Sequence, residues 1–237
     1  MTPLISFHHA DSAQALAQEL AASVAQRLRN GLAQRGRALL IVSGGSTPVP
    51  FFNALSAMAL DWAKVHVLLA DERWLPPDHP DSNEGLVKRH LLQGPAALAM
   101  FTPLYNGAPS PQDAGAEVER ALSALPWPAD VVVLGMGGDG HTASLFPHDP
   151  ALALAMQDDA HRRCLPVAAP ALPNVPVPRL TLTRHALLDA RQLIIHITGN
   201  SKLALLKLAM QDGPVQQWPI RLALLQDQVA CEVFHAA

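Results

Sequence analysis

The chain has 237 residues and a formal net charge of −3, with 17 basic and 20 acidic side chains. Hydrophobic residues make up 49% and charged residues only 16%, which excludes an intrinsically disordered chain. The charge gives no basic excess for binding nucleic acid, and no apolar run approaches the roughly 20 residues that span a bilayer. We therefore expect a single globular domain over residues 1–237, with neither nucleic acid nor membrane as a partner.

The start of the chain and its two cysteines predict the compartment. No Lys or Arg precedes Arg27 and no long apolar core follows the first residues, so we predict no signal peptide. Cys164 and Cys231 are too few for a disulfide framework or a four-cysteine zinc site. We expect a cytoplasmic protein in which both cysteines are buried thiols.

Short apolar runs alternate with segments of helical periodicity along most of the chain. Buried strands that alternate with helices are typical of a doubly wound, mostly parallel sheet with flanking helices, and we predict this α/β class. In chain order, the predicted elements are a helix at Ala13–Arg35, capped by Asp11 or Ser12 and ended by Gly36; a strand at Ala38–Val42; a helix at Phe51–Leu60; a strand at Val65–Ala70; a helix that starts at the capping-box spacing Asp81–Glu84 and runs to Leu92; a helix from Ser110-Pro111; strands at Val131–Leu134 and Leu193–Thr198; a helix at Ser201–Gln211; and a last strand at Val229–Phe234.

One stretch does not fit this alternation. Leu165–Pro178 contains five prolines in 14 residues, too many for a helix or a central strand. We predict a pinned loop within one domain, in preference to an interdomain linker.

Ligands of such sheets bind outside the carboxyl ends of the strands, so the residues after each predicted strand are candidates for a site. If the sheet prediction holds, these polar or glycine-rich clusters share one edge. They are Ser43–Pro48, Asp71–Arg73, Gly135–His141 and Gly199–Lys202.

The first cluster, Ser43–Thr47, joins a strand to a helix. Its glycines would let backbone N–H groups approach an anion, and the following helix N-terminus favours negative charge. This composition suits a phosphate, but it also fits an ordinary strand-to-helix turn. The segment lacks the lysine of a P-loop, which disfavours a nucleoside triphosphate.

The cluster Gly135–His141 has G-x-G-x-x-G spacing directly after a strand, a pattern found in dinucleotide sites. Pro147 and Pro150 interrupt the helix that such a site requires, so we disfavour this interpretation. We expect the glycine turn to aim Asp139 and His141 instead, because histidine is the side chain most easily poised near neutral pH.

The remaining clusters carry charge. Asp71–Arg73 follows a strand end and has two interpretations. It is either a solvated loop with local ion pairs, or a segment in which the rigid residues Trp74–Pro77 hold Arg73 over a cleft. A metal bound by Asp71, Asp139 and His141 is the less favoured alternative, since no local pair has zinc spacing. A positive charge near a helix N-terminus is unfavourable because of the helix dipole, so the position of Lys202 is better explained by an anionic ligand. Arg179 is a second, weaker candidate for a cation that binds this ligand.

These residues together resemble the 6-phosphogluconolactonases of the pentose phosphate pathway. The resemblance covers essentially the whole chain, and its most specific block runs from Gly135 to Pro147. The segments that carry it, in order, are Val42–Pro48, Asp71–Trp74 with Asp81–Asn83, Gly135–Pro147, Pro178–Thr183 and Ile197–Lys202.

The same superfamily contains glucosamine-6-phosphate deaminase/isomerases and sugar-phosphate sensor domains. The deaminases carry a Glu five residues after the histidine, where this chain has Phe146, and they lack an arginine at the position of Arg73. A sensor would usually carry a helix-turn-helix domain, for which we find no room. The resemblance therefore favours the lactonase over the deaminase/isomerase, with the sensor least favoured.

The resemblance implies a Rossmann-like fold of the deaminase/isomerase type and hydrolysis of 6-phospho-D-glucono-1,5-lactone without metal or cofactor. His141 would act as general base, Asp139 would orient or tune it, and Arg73 would stabilise the oxyanion. The chain would be a monomer or a small homo-oligomer. The implied phosphate contacts are Gly44, Gly45, Ser46, Thr47, Arg179 and Lys202, and the implied contacts to sugar hydroxyls are Asp71 and Asn83.

Overall fold

The computed structural model describes residues 5–157, 161–171 and 173–237, and it contains ten strands and eight α-helices within those ranges. The strands are β1 (Ser6–Ala10), β2 (Ala38–Val42), β3 (Val65–Leu69), β4 (Asp71–Arg73), β5 (Met100–Thr102), β6 (Val131–Leu134), β7 (Cys164–Val167), β8 (Arg179–Leu182), β9 (Leu193–Thr198) and β10 (Cys231–Ala236). The helices are α1 (Ala13–Arg35), α2 (Val49–Ser56), α3 (Asn83–His90), α4 (Pro111–Ser123), α5 (Pro150–Ala155), α6 (Arg184–Leu188), α7 (Asn200–Ala209) and α8 (Arg221–Leu224).

Seven strands form one sheet in the order β1-β10-β9-β6-β2-β3-β5, and every neighbouring pair is parallel. The inner strands β2, β6 and β9 are rich in Val, Ile and Leu, and almost all of their residues are buried, as expected for a parallel sheet covered on both faces. The predicted doubly wound α/β class is confirmed.

Helix α1 begins and ends where the sequence predicts. The Ser12 hydroxyl accepts a hydrogen bond from the backbone N–H of Ala15, and Gly36 adopts the left-handed conformation that ends a helix, with φ 71°. Its buried stripe includes Leu16, Leu20 and Val24 at four-residue steps.

Other predicted bounds need correction. Helix α2 spans Val49–Ser56, so it starts before the predicted Phe51, because proline is tolerated in a first helical turn, and it ends four residues before the predicted Leu60. The predicted capping box at Asp81–Glu84 does not form. Ser82 caps α3 through the N–H of Gly85, while Glu84 pairs with Lys88. The remaining shifts are small: α3 ends at His90, β3 at Leu69 and α7 at Ala209, and β10 is displaced to Cys231–Ala236.

A second sheet was not predicted. Strands β4, β8 and β7 pair antiparallel in that order, so Asp71–Arg73 is a strand and the solvated-loop alternative is wrong. Leu165–Pro178 is not a loop throughout, because it begins within β7, where Pro166 lies opposite Leu180. Strand β7 is an edge strand, where a missing N–H costs no ladder bond.

The small sheet is tied to the large one, since β4 begins two residues after β3 ends and the N–H of Leu182 in β8 donates to the carbonyl of Ala70. Charged residues are thereby built into rigid structure beside the carboxyl edge of the large sheet. Both cysteines are free and buried, as predicted. No helix in the described ranges is long and apolar enough to cross a membrane.

Candidate active site

The four polar clusters meet in one cavity of about 250 Å³ at the carboxyl ends of β2, β3, β6 and β9. This confirms that the clusters share an edge of the sheet. Of the eleven predicted site residues, all but Asp139 line the cavity. Those that do are Gly44, Gly45, Ser46, Thr47, Asp71, Arg73, Asn83, His141, Arg179 and Lys202.

Asp139 stands behind His141 and holds its ring. The carboxylate Oδ1 lies 2.6 Å from His141 Nδ1 and also accepts the backbone N–H of His141 at 3.1 Å. Burial alone would raise the pKa of Asp139, but its hydrogen bonds with His141 and the charge of the imidazole outweigh burial and lower that pKa. An ionised carboxylate only accepts hydrogen bonds, so the histidine proton lies on Nδ1. The lone pair of Nε2 is then free to act as a base.

The glycine turn before His141 leaves no room for side chains. A Cβ on Gly137 would overlap the His141 imidazole and come within 2.8 Å of the Asp139 carboxylate. Gly140 has φ 82°, and a Cβ there would lie 2.8 Å from Trp218. The turn therefore requires glycine at both positions, for close packing at the first and for backbone conformation at the second.

Phe146, five residues after His141, packs against the site. Its ring centroid lies 4.8 Å from that of His141, and the Arg179 guanidinium carbon lies 5.2 Å from the phenyl centroid. The side chain is 6% exposed. An apolar ring thus separates the histidine from the buried arginine.

Arg73 and Asn83 are held by a network that joins β4 to the start of α3. Arg73 Nη1 donates to the carbonyl of Asp81 at 2.5 Å, and Asn83 Nδ2 donates to the carbonyl of Asp71 at 2.9 Å. The Asp71 carboxylate in turn accepts the hydroxyl of Ser144 at 2.5 Å. These hydrogen bonds fix the arginine and the amide at the cavity wall. The rigidity around Arg73, which we predicted to come from Trp74–Pro77, comes from strand β4.

Arg179 enters the cavity from β8. It is 3% exposed, donates to the carbonyl of Val175 at 3.0 Å and lies 3.8 Å from the Asp71 carboxylate. Burial lowers its pKa, while the negative charge of Asp71 acts in the opposite direction. Among the described residues its Nε has no hydrogen-bond partner, which leaves this donor of the guanidinium unused.

The opposite side of the cavity offers donors without acceptors. Side chains cap α1, α3, α4, α5 and α6, but in the described part of the chain no side chain caps α2 after Pro48 or α7 after Gly199. In α2 the N–H of Val49 donates to the Ser46 carbonyl at 3.3 Å and Pro50 has no N–H, so the uncapped N–H groups lie chiefly at the start of α7. Lys202 is half-buried and makes no hydrogen bond or ion pair with any residue that the structure describes, and burial lowers its pKa. Two helix N-termini and an unpaired ammonium form a region suited to an anion.

Sequence reasoning gave no role to two polar residues of the cavity wall, His196 and Thr142, or to Ser144, which supports Asp71. His196 of β9 lines the cavity with its ring edge-on to Phe51, and burial, with a contribution from Lys202, lowers its pKa to about 4. It therefore stays neutral at physiological pH. Thr142 lines the cavity as well, and Ser144 buttresses Asp71. The position of His196 inside an apolar strand was the available signal, because a histidine there is buried.

The metal alternative is not supported by the geometry. No group of three or more His, Cys, Asp or Glu side chains in the described ranges is arranged to hold a metal ion. Asp71, Asp139 and His141 do not form such a group, because the Asp71 carboxylate accepts the hydroxyl of Ser144 while the Asp139 carboxylate is hydrogen-bonded to His141.

Comparison with known proteins identifies the family. The model described as glucosamine-6-phosphate isomerases/6-phosphogluconolactonase matches residues 11–231. The chain belongs to this family. A Pseudomonas aeruginosa 6-phosphogluconolactonase is 52% identical over 90% of this chain and 88% of its own, and one from Pseudomonas putida is 47% identical over 94% and 90%.

The fold comparison agrees. The crystal structure of a 6-phosphogluconolactonase from Shewanella baltica superposes with a TM-score of 0.94 at 39% identity, covering 100% of both chains. The resemblance inferred from the sequence motifs is thereby confirmed, including the deaminase/isomerase type of Rossmann-like fold.

The packing of Gly137 predicts a spectroscopic effect. Gly137→Ala should push the His141 ring away from Asp139, whereas Gly138→Ala should not, because nothing lies within 4 Å of a Cβ at 138. In imidazole ¹H–¹⁵N correlation spectra, the Nδ1 proton held by Asp139 should be seen in the wild type and in Gly138→Ala and be lost in Gly137→Ala. Retention of that proton signal in Gly137→Ala would contradict the packing argument.

Proposed function

We propose that this chain is a 6-phosphogluconolactonase, which hydrolyses 6-phospho-D-glucono-1,5-lactone to 6-phosphogluconate by general-base attack of water. The observation that carries the proposal is the His141–Asp139 pair at 2.6 Å, presented to a cavity that also contains Arg73 and an anion-binding region. The 52% identical relative named 6-phosphogluconolactonase supports the choice of substrate.

The base is Nε2 of His141. It takes a proton from a water molecule as the water oxygen attacks the lactone carbonyl carbon, and the carbonyl oxygen gains the electron pair. The imidazolium that forms is stabilised by the adjacent Asp139 carboxylate, which is ionised because the pKa of this group is lowered. When the tetrahedral intermediate collapses, the ring C–O bond breaks and the imidazolium returns the proton to the leaving alkoxide.

Arg73 is placed to receive the oxyanion. Its guanidinium is anchored by one hydrogen bond to the Asp81 carbonyl, and the side chain lines the same cavity as His141. A fixed cation next to the developing negative charge needs no reorganisation during the reaction. The product carboxylate forms in the same position, so product should bind measurably.

The phosphate lies at the N-termini of α2 and α7 in this proposal. Gly44, Gly45, Ser46 and Thr47 supply backbone and hydroxyl donors, and Lys202 supplies the charge. Arg179, whose Nε has no hydrogen-bond partner among the described residues, supplies a second positive charge from β8. Asp71 and Asn83 face the sugar between these ends.

A deaminase/isomerase is the second candidate, because the family description includes both activities. Deaminases need a carboxylate where this chain has Phe146, and the phenyl ring here packs on His141 at 4.8 Å. An apolar group cannot carry a proton, so this contact favours the lactonase. Catalysis without metal or cofactor, a cytoplasmic location and a monomeric or small homo-oligomeric state remain predictions.

The base role predicts the effect of removing the imidazole. His141→Ala should lower kcat for lactone hydrolysis by about 10²–10⁴-fold after the spontaneous rate is subtracted. His90→Ala is the matched control, because His90 lies in the last turn of α3 and does not line the cavity. Near-normal kcat in His141→Ala would remove this residue from the mechanism.

The phosphate role of Lys202 predicts a substrate-dependent loss. A charge-assisted hydrogen bond contributes about 1.5–3 kcal/mol, so Lys202→Ala should lower kcat/KM for the phosphorylated lactone by roughly 10- to 100-fold, chiefly through KM. Hydrolysis of glucono-1,5-lactone, which lacks the phosphate, should be little changed. Lys207→Ala on the same helix, exposed and outside the cavity, is the control. Equal losses on both substrates would contradict the assignment.

Catalysis by side chains alone predicts insensitivity to chelation. Since no described group of three ligand-type side chains is arranged around a metal position, prolonged dialysis against EDTA should leave kcat unchanged. Loss of activity that added divalent cation restores would show that a metal participates.

A further inference from the structure

Glu72 is a fully buried carboxyl group beside the site, and nothing in the proposed mechanism uses it. Its relative exposure is 0%, although it lies between two residues of the cavity wall, Asp71 and Arg73. A carboxylate in such a position requires an explanation, since burial of an unpaired charge is costly.

The hydrogen bonds of Glu72 explain how this carboxyl group can be buried. Oε1 accepts the backbone N–H of Arg73 at 2.7 Å and that of Asn83 at 2.8 Å. Oε2 accepts the backbone N–H of Glu84 at 2.6 Å and the hydroxyl of Ser82 at 3.3 Å. All four donors belong either to the end of β4 or to the first turn of α3.

This arrangement joins the two segments that carry Arg73 and Asn83. Two further hydrogen bonds connect the same segments: Arg73 Nη1 donates to the carbonyl of Asp81, and Asn83 Nδ2 donates to the carbonyl of Asp71. Each side chain thus binds the backbone of the other segment. Asn83 also touches the backbone at Gly44, because a Cβ on Gly44 would overlap its side-chain amide. A shift of the start of α3 would therefore move Arg73, Asn83 and the loop after β2 together.

We propose that Glu72 is a positioning residue, whose carboxylate locks the N-terminus of α3 to β4 and thereby fixes Arg73 and Asn83 against the sugar and lactone carbonyl. The inference rests on the proposed function for the roles of Arg73 and Asn83. Burial raises the pKa of Glu72 to about 7, opposed by its three backbone N–H donors. A buried carboxyl group whose hydrogen bonds are satisfied makes its surroundings rigid.

Glutamine is the informative substitution because it has the same size and shape. Glu72→Gln retains one acceptor oxygen but replaces the other with an NH₂ group, which would face at least one N–H donor. Misplacement of catalytic groups by about 1 Å can lower rates about 10²-fold. We therefore expect kcat to fall by about 10²-fold, with a larger fall for Glu72→Ala.

A binding measurement separates positioning from general destabilisation. By calorimetry, Glu72→Gln should weaken the binding of 6-phosphogluconate, which reaches Arg73, much more than the binding of inorganic phosphate. Glu72 holds Arg73 and Asn83 directly, whereas it reaches the phosphate region on α2 and α7 only through Asn83 and Gly44. Asp130→Asn is the matched control: Asp130 is also buried and accepts the N–H of Leu39 at 2.9 Å, but at the amino end of the sheet. It should lower the melting temperature without changing either affinity or kcat.

Each outcome of these measurements either supports or overturns the positioning role of Glu72. Wild-type kcat and wild-type 6-phosphogluconate affinity in Glu72→Gln would overturn the proposal, as would equal weakening of phosphate and 6-phosphogluconate. If Glu72→Gln does not fold, Ser82→Ala removes one donor to Glu72 and should show the same selective loss to a smaller extent; no loss there would overturn it. An inactive wild type would instead contradict the proposed function, while the two affinities would still test Glu72.

Discussion

Parallel pairing of β2, β3, β6 and β9 is the constraint on which the site depends. Because these strands run in the same direction, their carboxyl ends meet at one edge of the sheet, and the residues that follow each strand are brought together although they are up to 160 positions apart in sequence. The buried Val, Ile and Leu side chains of the strands fix the register, so a rigid core determines where the chemistry lies.

The small antiparallel sheet holds the charged residues Asp71, Arg73 and Arg179 in rigid structure. A charged segment directly after a parallel strand would ordinarily be an exposed loop, but pairing with β8 turns Asp71–Arg73 into a strand and brings Arg179 opposite Arg73. The two arginines tolerate this proximity because Asp71 lies 3.8 Å from Arg179 and Arg73 donates to the Asp81 carbonyl. Electrostatic compensation and strand pairing together build the part of the cavity wall that carries both arginines.

Local and periodic features were predictable from the sequence, and long-range pairing was not. Helix α1 carries its own cap, its own apolar stripe and its terminal glycine, and β2, β6 and β9 are continuous apolar runs. Strands β4, β7 and β8 are short, polar or proline-containing, and only their partners make them strands. The same reason explains the failed capping box: Glu72, distant in sequence, occupies the N–H groups of Asn83 and Glu84.

Most polar residues of the cavity wall were predictable because glycine, proline and charge concentrate after buried strands, whereas His196 was missed because it is a strand residue. The central claim is that this cavity opens a lactone ring, and product identification by NMR tests it directly. With 6-phosphogluconolactone, the account predicts 6-phosphogluconate at a rate well above the spontaneous one, and with glucosamine 6-phosphate no release of ammonia. Ammonia from the amino sugar, together with lactone hydrolysis at only the spontaneous rate, would contradict it.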